Sequence, residues 1–353
     1  MSNPKGIILS APSSGCGKTT ITLGLLRALK NSGLQIKSAK SGPDYIDTRF
    51  HAAASGSECY NLDSWAMCPD QICKLANEAT PLIIEGAMGL FDGAPPEGKG
   101  STSDLAGILK LPVVLILDAA SQAQSIAALT LGFQKLDPNV KISGIILNKV
   151  GSDKHNRILL KALEPLGIPI LGSIYRNKDL NMPSRHLGLV QAQELNNLDE
   201  FLNTAAKIVS DSIDIAKLLK LMKPIPKQKK DTNLFLEPPA QSICIASDAA
   251  FSFTYPHILK EWHKIGIEIS FFSPLKNEAP RDANLIFLPG GYPELYAEKL
   301  ANADIFKNAM KKANAVYGEC GGYMTMGSGI IDANGKKHEM LGLLNLETSF
   351  EEK

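Results

Sequence analysis

The 353-residue chain is poor in aromatics, at 6%, and carries almost no net charge: 37 basic residues against 36 acidic ones give +1. Such a balance makes no case for nucleic acid or an anionic membrane surface as partner. Long apolar runs are lacking too. None approaches the roughly 20 residues that a membrane helix needs. No charged n-region followed by an apolar h-region opens the sequence, so no secretory leader is read there and a cytoplasmic location is expected. Cysteine pairs at metal-binding spacing are also missing. The cysteines at 16, 59, 68, 73, 244 and 320 include no C-x-x-C, and no histidine follows Cys68 and Cys73 at finger spacing. Free thiols are expected, not zinc ligands. What remains is an ordinary globular composition, 44% hydrophobic and 21% charged, in a chain long enough for two domains.

The most informative stretch is I-I-L-S-A-P-S-S-G-C-G-K-T-T, residues 7–20. Ile7, Ile8 and Leu9 form the short apolar run of a buried parallel strand. Gly15 and Gly17 bracket a tight loop, and an apolar-periodic helix follows through Ile21, Leu25, Leu26 and Leu29. Strand, glycine loop and helix make a phosphate cradle, with backbone N–H groups and the helix N-terminus facing anionic oxygens. Ser14, Gly15, Cys16, Gly17, Lys18, Thr19 and Thr20 are its candidate nucleotide contacts. Lys18 would reach the terminal phosphates and the Thr19 hydroxyl would ligate Mg²⁺. The first glycine of the usual pattern is replaced by Pro12, so the loop reads A-x5-G-K-T, one residue longer.

Further along, Gly42 and Pro43 force a turn that presents Asp44, Tyr45 and Asp47 on one loop after a second strand. Asp44 reads either as a helix cap or as a ligand-side carboxylate. Pro81–Ile84 is a buried strand ending in E-G-A-M-G-L-F-D-G. Glu85 there sits at a strand tip, where a Mg-nucleotide site draws its acidic partner, and Asp92 lies on the same loop. Residues 111–117 and 142–147 are further strands, the latter closing with Asn148 and Lys149. That pair reads as a base-recognising corner or as a plain strand-end turn. Strands alternating with helices predict a doubly wound, mostly parallel α/β sheet. The basic, proline-punctuated segment from about 207 to 239 reads as a linker, dividing the chain into residues 1–210, a linker 211–240 and a second α/β domain 241–353. In that second domain G-E-C-G-G-Y-M places Cys320 in a nucleophile elbow, Cys in place of Ser. Gly321 and the Gly290-Gly291 turn are candidate oxyanion-hole donors. The competing reading of Cys320 is a buried, inert thiol.

Together, A-P-S-S-G-C-G-K-T-T, G-P-D-Y-I-D, E-G-A-M-G-L-F-D-G, R-H-L-G-L (185–189), A-F-S-F-T-Y-P, P-G-G-Y-P-E-L and G-E-C-G-G-Y-M resemble the cobyrinic acid a,c-diamide synthase family, from residue 7 to residue 324. The resemblance implies an N-terminal domain similar to dethiobiotin synthetase, whose loop has the same longer form, and a C-terminal class I glutamine amidotransferase domain. It implies Mg-ATP as cofactor, a corrinoid polycarboxylate (cobyrinic acid) and glutamine or ammonia as partners, and a homodimer. It further implies Cys320 as nucleophile, Lys18 and Thr19 at the phosphates, Thr19, Asp47 and Glu85 at the metal, and Asp44, Tyr45 and Asp92 at the substrate. The family's histidine base lies in a glycine-His-Glu-Phe-His-like segment well past the nucleophile. Here only His338 follows Cys320, in a polar N-G-K-K-H-E turn, so the second domain is expected to be incomplete. A relative amidating cobyric acid or a nickel sirohydrochlorin is the alternative, as is a remnant with ammonia-driven activity or none. A partition-type ATPase is disfavoured, because Ser13 stands where its signature lysine would fall.

Overall fold

A computed structural model describes residues 4–78, 81–180, 184–185, 188–189, 192, 195, 197–228 and 236–351. It comprises two compact units, Met1–Leu234 and Phe235–Lys353.

The first unit runs β1 (Lys5–Ser10), α1 (Lys18–Asn31), β2 (Lys37–Ser41), α2 (Tyr45–Ser55), β3 (Cys59–Leu62), α3 (Pro69–Asn77), β4 (Leu82–Glu85), α4 (Thr102–Leu109), β5 (Val113–Asp118), α5 (Ser125–Lys135), β6 (Ile142–Val150), α6 (Asp153–Leu163) and β7 (Ile170–Tyr175). A two-stranded antiparallel sheet, β8 (Ser184–Arg185) and β9 (Gly188–Leu189), then α7 (Leu198–Ser212), α8 (Ile215–Leu221) and β10 (Lys223–Pro224) complete it. The main sheet has the order β3-β2-β4-β1-β5-β6-β7, with every neighbouring pair parallel. Its central strands are covered on both faces, so they read as unbroken apolar runs such as Ile7-Ile8-Leu9 and Val113 to Leu117. After β1 the chain lays β2 and β3 to one side, returns to insert β4 between β2 and β1, then crosses to β5 on the other. That switch opens a crevice at the carboxyl ends of β1, β4 and β5.

The linker expected over 211–240 is largely folded. Leu202, Ala205, Ala206 and Val209 of α7 are buried at helical spacing, and the lysines that gave the segment its basic look lie on outward faces. Gly24 of α1 admits α7 closely: a Cβ there would lie 2.6 Å from Val209 Cγ2. Asp214 N donates to Leu171 O at 2.8 Å, Ile225 N to Pro4 O at 2.8 Å, and β10 pairs with the start of β1. Lys229 and Lys230 lie outside the described residues, as do His186 and Leu187 of the 185–189 motif.

The second unit runs β11 (Ser242–Ala246), α9 (Pro256–Lys264), β12 (Glu268–Phe272), β13 (Leu285–Leu288), α10 (Ala297–Ala301), α11 (Asp304–Met310), β14 (Val316–Gly318), α12 (Gly321–Met326), β15 (Gly329–Ile331), β16 (Lys337–Glu339) and β17 (Glu347–Ser349). A parallel sheet β12-β11-β13-β14 and a smaller sheet β16-β15-β17 enclose Phe251, Leu288, Phe306 and Ile330. No described helix is long and apolar enough to cross a membrane.

Candidate functional site

At the tip of β1 the chain turns through the glycine loop into α1. Gly17 takes φ 89°, a left-handed conformation that a side chain resists, and a Cβ there would also lie 2.3 Å from Asn148 Nδ2. That amide donates to Cys16 O at 2.8 Å. Lys149 Nζ donates to Gly15 O at 2.9 Å and pairs with Asp118 Oδ2 at 2.6 Å. Asn148 and Lys149, expected just past a strand, lie within β6 and prop the loop from beneath. Lys18 lies across the cradle, donating to Ser13 O at 3.1 Å and Met88 O at 2.5 Å. Burial pulls its proton affinity down, and the Glu85 charge opposes that pull.

Beside Lys18 lies a dense ionic cluster. Glu85, the last residue of β4, is wholly buried and stands directly opposite Lys40 on β2. Its Oε1 accepts from Thr19 Oγ1 at 2.7 Å and Lys40 Nζ at 2.8 Å, and its Oε2 faces His51 Nε2 at 2.7 Å. Lys40 also pairs with Asp47 Oδ2 at 2.5 Å. Asp47 and His51 share one face of α2, being four residues apart. Behind the imidazole, Cys59 Sγ sits 3.5 Å from Nδ1. Burial works against every charge here. For Lys40 and Glu85 the paired opposite charges outweigh it, raising the lysine and lowering the carboxyl. For His51 burial is outweighed by Cys59 and Glu85, and the ring is raised to about 10. For Asp47 burial prevails over Lys40, and the carboxyl is pushed up to about 6.

The other expected residues divide. Asp44 is the N-cap of α2, its Oδ1 accepting from Ile46 N at 2.7 Å and Asp47 N at 2.9 Å, so Tyr45 and Asp47 lie on a helical turn instead of a free loop. Asp92 is exposed and accepts from Gly89 N at 2.9 Å through Oδ2. Thr20 Oγ1 reaches Leu180 O at 3.4 Å, Cys16 Sγ lies 3.4 Å from Ser13 Oγ, and Ser14 is exposed. A cavity of about 650 Å³ is bordered by Gly15, Gly17, Thr20, Asn148, Lys149, Tyr175, Arg176, Asn177 and Lys178. Its mix of loop amides and cationic side chains suits an anionic ligand.

In the second unit Cys320 sits between β14 and α12 at φ 47°, ψ −116°, a strained conformation, with its side chain exposed. The glycines explain how the turn closes. A Cβ on Gly322 would lie 1.9 Å from Leu288 O, and one on Gly318 would lie 2.9 Å from the Gly322 carbonyl carbon. A Cβ on Gly290 would lie 3.2 Å from Cys320 Cβ, and one on Gly321 would lie 2.9 Å from Gly291 O. Cys320, Gly290, Gly291 and Gly321 are thus neighbours, and Cys320 is exposed where the competing reading expected a buried thiol. His338 is on strand β16, not in a turn, and its Nε2 lies 2.8 Å from Asp332 Oδ2.

Sequence reasoning missed Lys40 and His51 as partners of Glu85, and Cys59 as the neighbour of His51. The i, i+4 spacing of Asp47 and His51 after a capping Asp44 was the available signal. For Lys40 it was a lysine inside a strand flanked by small residues.

Does this donor set suit a Mg²⁺ ion? Thr19, Asp47 and Glu85 supply hard oxygens, and Lys40 Nζ already acts as a stand-in cation between the two carboxylates. Among the described residues no group of three or more His, Cys, Asp or Glu is arranged to hold a metal. Mg²⁺ held by one or two carboxylates plus nucleotide phosphates matches that arrangement.

Comparison with known proteins gives two matched families along the chain. Residues 7–190 match the CobQ/CobB/MinD/ParA nucleotide binding domain, and residues 242–353 match the CobB/CobQ-like glutamine amidotransferase domain. Among curated proteins, the hydrogenobyrinate a,c-diamide synthase of Brucella anthropi is 51% identical over 98% of this chain and 82% of that protein. Proteins of the same name from Mesorhizobium japonicum and Rhodobacter capsulatus are each 46% identical, over 98% and 99% of this chain and 81% and 82% of theirs.

Proposed function

The chain belongs to the hydrogenobyrinate a,c-diamide synthase family, and from that premise we propose that it amidates the a and c carboxylates of a corrinoid polycarboxylate in cobalamin biosynthesis. It is an ATP-consuming carbon–nitrogen ligase with a glutamine amidotransferase domain. The relatives are named for hydrogenobyrinate, and that acid is taken as the substrate ahead of cobyrinic acid. The observation that carries the reading is the convergence of Lys18, Lys40, Thr19, Asp47 and Glu85 on one glycine loop.

A carboxylate is a poor electrophile. In the proposed reaction its oxygen attacks the γ-phosphorus of ATP, the bond to the bridging oxygen breaks, and ADP leaves. Ammonia then adds to the acyl-phosphate carbon, phosphate departs, and loss of a proton leaves the amide. Lys18 is held in waiting by two neutral carbonyls, which phosphate oxygens outcompete because charge-assisted hydrogen bonds are stronger. Asn148 and Lys149 keep the loop amides turned to the phosphates. Bound through Thr19, Asp47 and Glu85, Mg²⁺ would supply neutralisation of the charge on the transferred phosphoryl group. Asp44, Tyr45 and Asp92 border the substrate side. In the second unit Cys320 attacks the glutamine side-chain amide, Gly290, Gly291 and Gly321 stabilise the oxyanion, the thiol proton passes to the departing nitrogen so that ammonia leaves, and water hydrolyses the resulting γ-glutamyl thioester to glutamate and the free thiol. A homodimer in the cytoplasm belongs to the same reading.

The test is ADP release with hydrogenobyrinate and with cobyrinic acid, each with glutamine and with ammonium as donor. Turnover that requires a corrinoid acid supports the assignment. ATP hydrolysis indifferent to any tetrapyrrole acid would refute it.

A further inference from the structure

Glu85 divides its two oxygens between different tasks. Oε1 faces the cradle, within reach of Thr19 and Lys40, whereas Oε2, among the described residues, meets His51. A carboxylate can only accept, so whatever the charge on the ring, the hydrogen at that contact is on Nε2. His51 is wholly buried, Cys59 nearly so, and the thiol beside Nδ1 fixes the plane of the imidazole. The three side chains line up as thiol, imidazole and carboxylate. None of this Cys–His–Glu row is open to solvent, so it cannot serve as a nucleophilic device. We propose that His51 is a positioning residue: it locks Oε2 of Glu85, so that Oε1 is presented to a divalent cation arriving with the nucleotide. Partners of this kind behind a metal ligand set its orientation and affinity. The inference rests on the reading of Glu85 as a metal ligand.

The experiment uses the full chain, Mn²⁺ as spectroscopic probe by electron paramagnetic resonance, and a non-hydrolysable ATP analogue. His51→Leu is expected to weaken Mn²⁺ binding in the ternary complex by about tenfold to a hundredfold, with metal-free nucleotide binding within about twofold of the parent. His51→Gln keeps an N–H near the place of Nε2 and is expected to restore most of the affinity. His51→Asn, whose amide falls short, is expected to behave as the leucine variant does. Should His51→Leu fail to fold, the contrast between Gln and Asn carries the test. Equal Mn²⁺ affinity in the glutamine and asparagine variants and the parent overturns the proposal. Glu85→Gln separates the two readings. If it leaves Mn²⁺ binding unchanged, the metal-ligand reading falls and takes this inference with it. If it weakens binding while the His51 variants do not, only the role of His51 falls.

Discussion

The phosphate cradle of the first unit and the cysteine elbow of the second handle their reactive groups in opposite ways. Around Glu85 the charges of Lys40, Asp47 and His51 are buried and already paired, lysine to carboxylate and imidazole to carboxylate. Around Cys320 the sulfur proposed as nucleophile is exposed, held up by backbone strain and surrounded by glycines. Stabilising a migrating phosphoryl group needs fixed charge in a water-poor setting, and fixed charge survives burial only when paired. Attack on an amide needs an accessible sulfur and nearby backbone donors, which strain and missing side chains provide. Substitutions in the buried cluster at Glu85 should therefore disturb stability and activity together, and replacement of the exposed Cys320 thiol should disturb activity alone.

The largest effect should come from Lys18→Ala. ADP release is expected to fall on the order of 10³-fold with glutamine and ammonium alike, since both routes share the phosphoryl transfer. Cys320→Ala should abolish turnover on glutamine, leave turnover on ammonium intact and keep the melting temperature of the parent. Loss of the ammonium-driven rate in that variant would break the division between the units. Next comes Lys40→Met, which leaves Glu85 and Asp47 short of their buried cation. A loss of about 3–5 kcal/mol from the first unit is expected on chemical denaturation, whereas removing the exposed Lys207–Asp211 pair should change nothing measurable.

How much of this the amino-acid sequence made legible follows the same contrast. Strands β1, β4, β5 and β11 stand out because burial on both faces writes an unbroken apolar run. The elbow stands out because only glycine fits where a Cβ would meet Leu288 O. The ionic cluster was only half legible. Glu85 declared itself at a strand tip, but Lys40 and His51 did not, because a charged residue is exposed by default and only tertiary pairing buries it. Strand β3 escaped because C-Y-N-L is too polar to resemble a core strand, although all four residues are buried. Helix α8 and the end of α7 passed for a linker because outward lysines masked Val209 and Leu218.

A pH titration sharpens the comparison from the second unit. His257 is 2% exposed, and burial pulls its proton affinity down to about 4, with Glu261 opposing. In the unfolded chain it titrates near 6.5, so below that pH the unfolded state binds a proton that the folded state refuses. Stability should be whole above 6.5 and fall as pH drops toward 4, by about 3 kcal/mol in total. The buried Trp262 reports the second unit and the 71%-exposed Trp65 lies in the first, so urea midpoints in a Trp65→Phe background isolate the effect. His257→Gln should flatten the slope between pH 6.5 and 4. A slope that persists would assign the acid sensitivity to other groups.

The smallest effect tests whether Asp44 serves the fold or the substrate. As N-cap it accepts two backbone N–H groups through one oxygen, and Asp44→Ala should cost about 1 kcal/mol. Asp44→Ser keeps a capping oxygen but removes the charge. If Asp44 only caps α2, the serine variant should match the parent in both stability and KM for the corrinoid. If its second oxygen also meets the substrate side, the serine variant should keep its stability and still show an altered KM. Since Asp47 and His51 ride on the helix that Asp44 starts, Asp44→Ala should also loosen the cluster at Glu85. A weakened Mn²⁺ affinity in the alanine variant, absent from the serine one, would trace the metal site back to the cap.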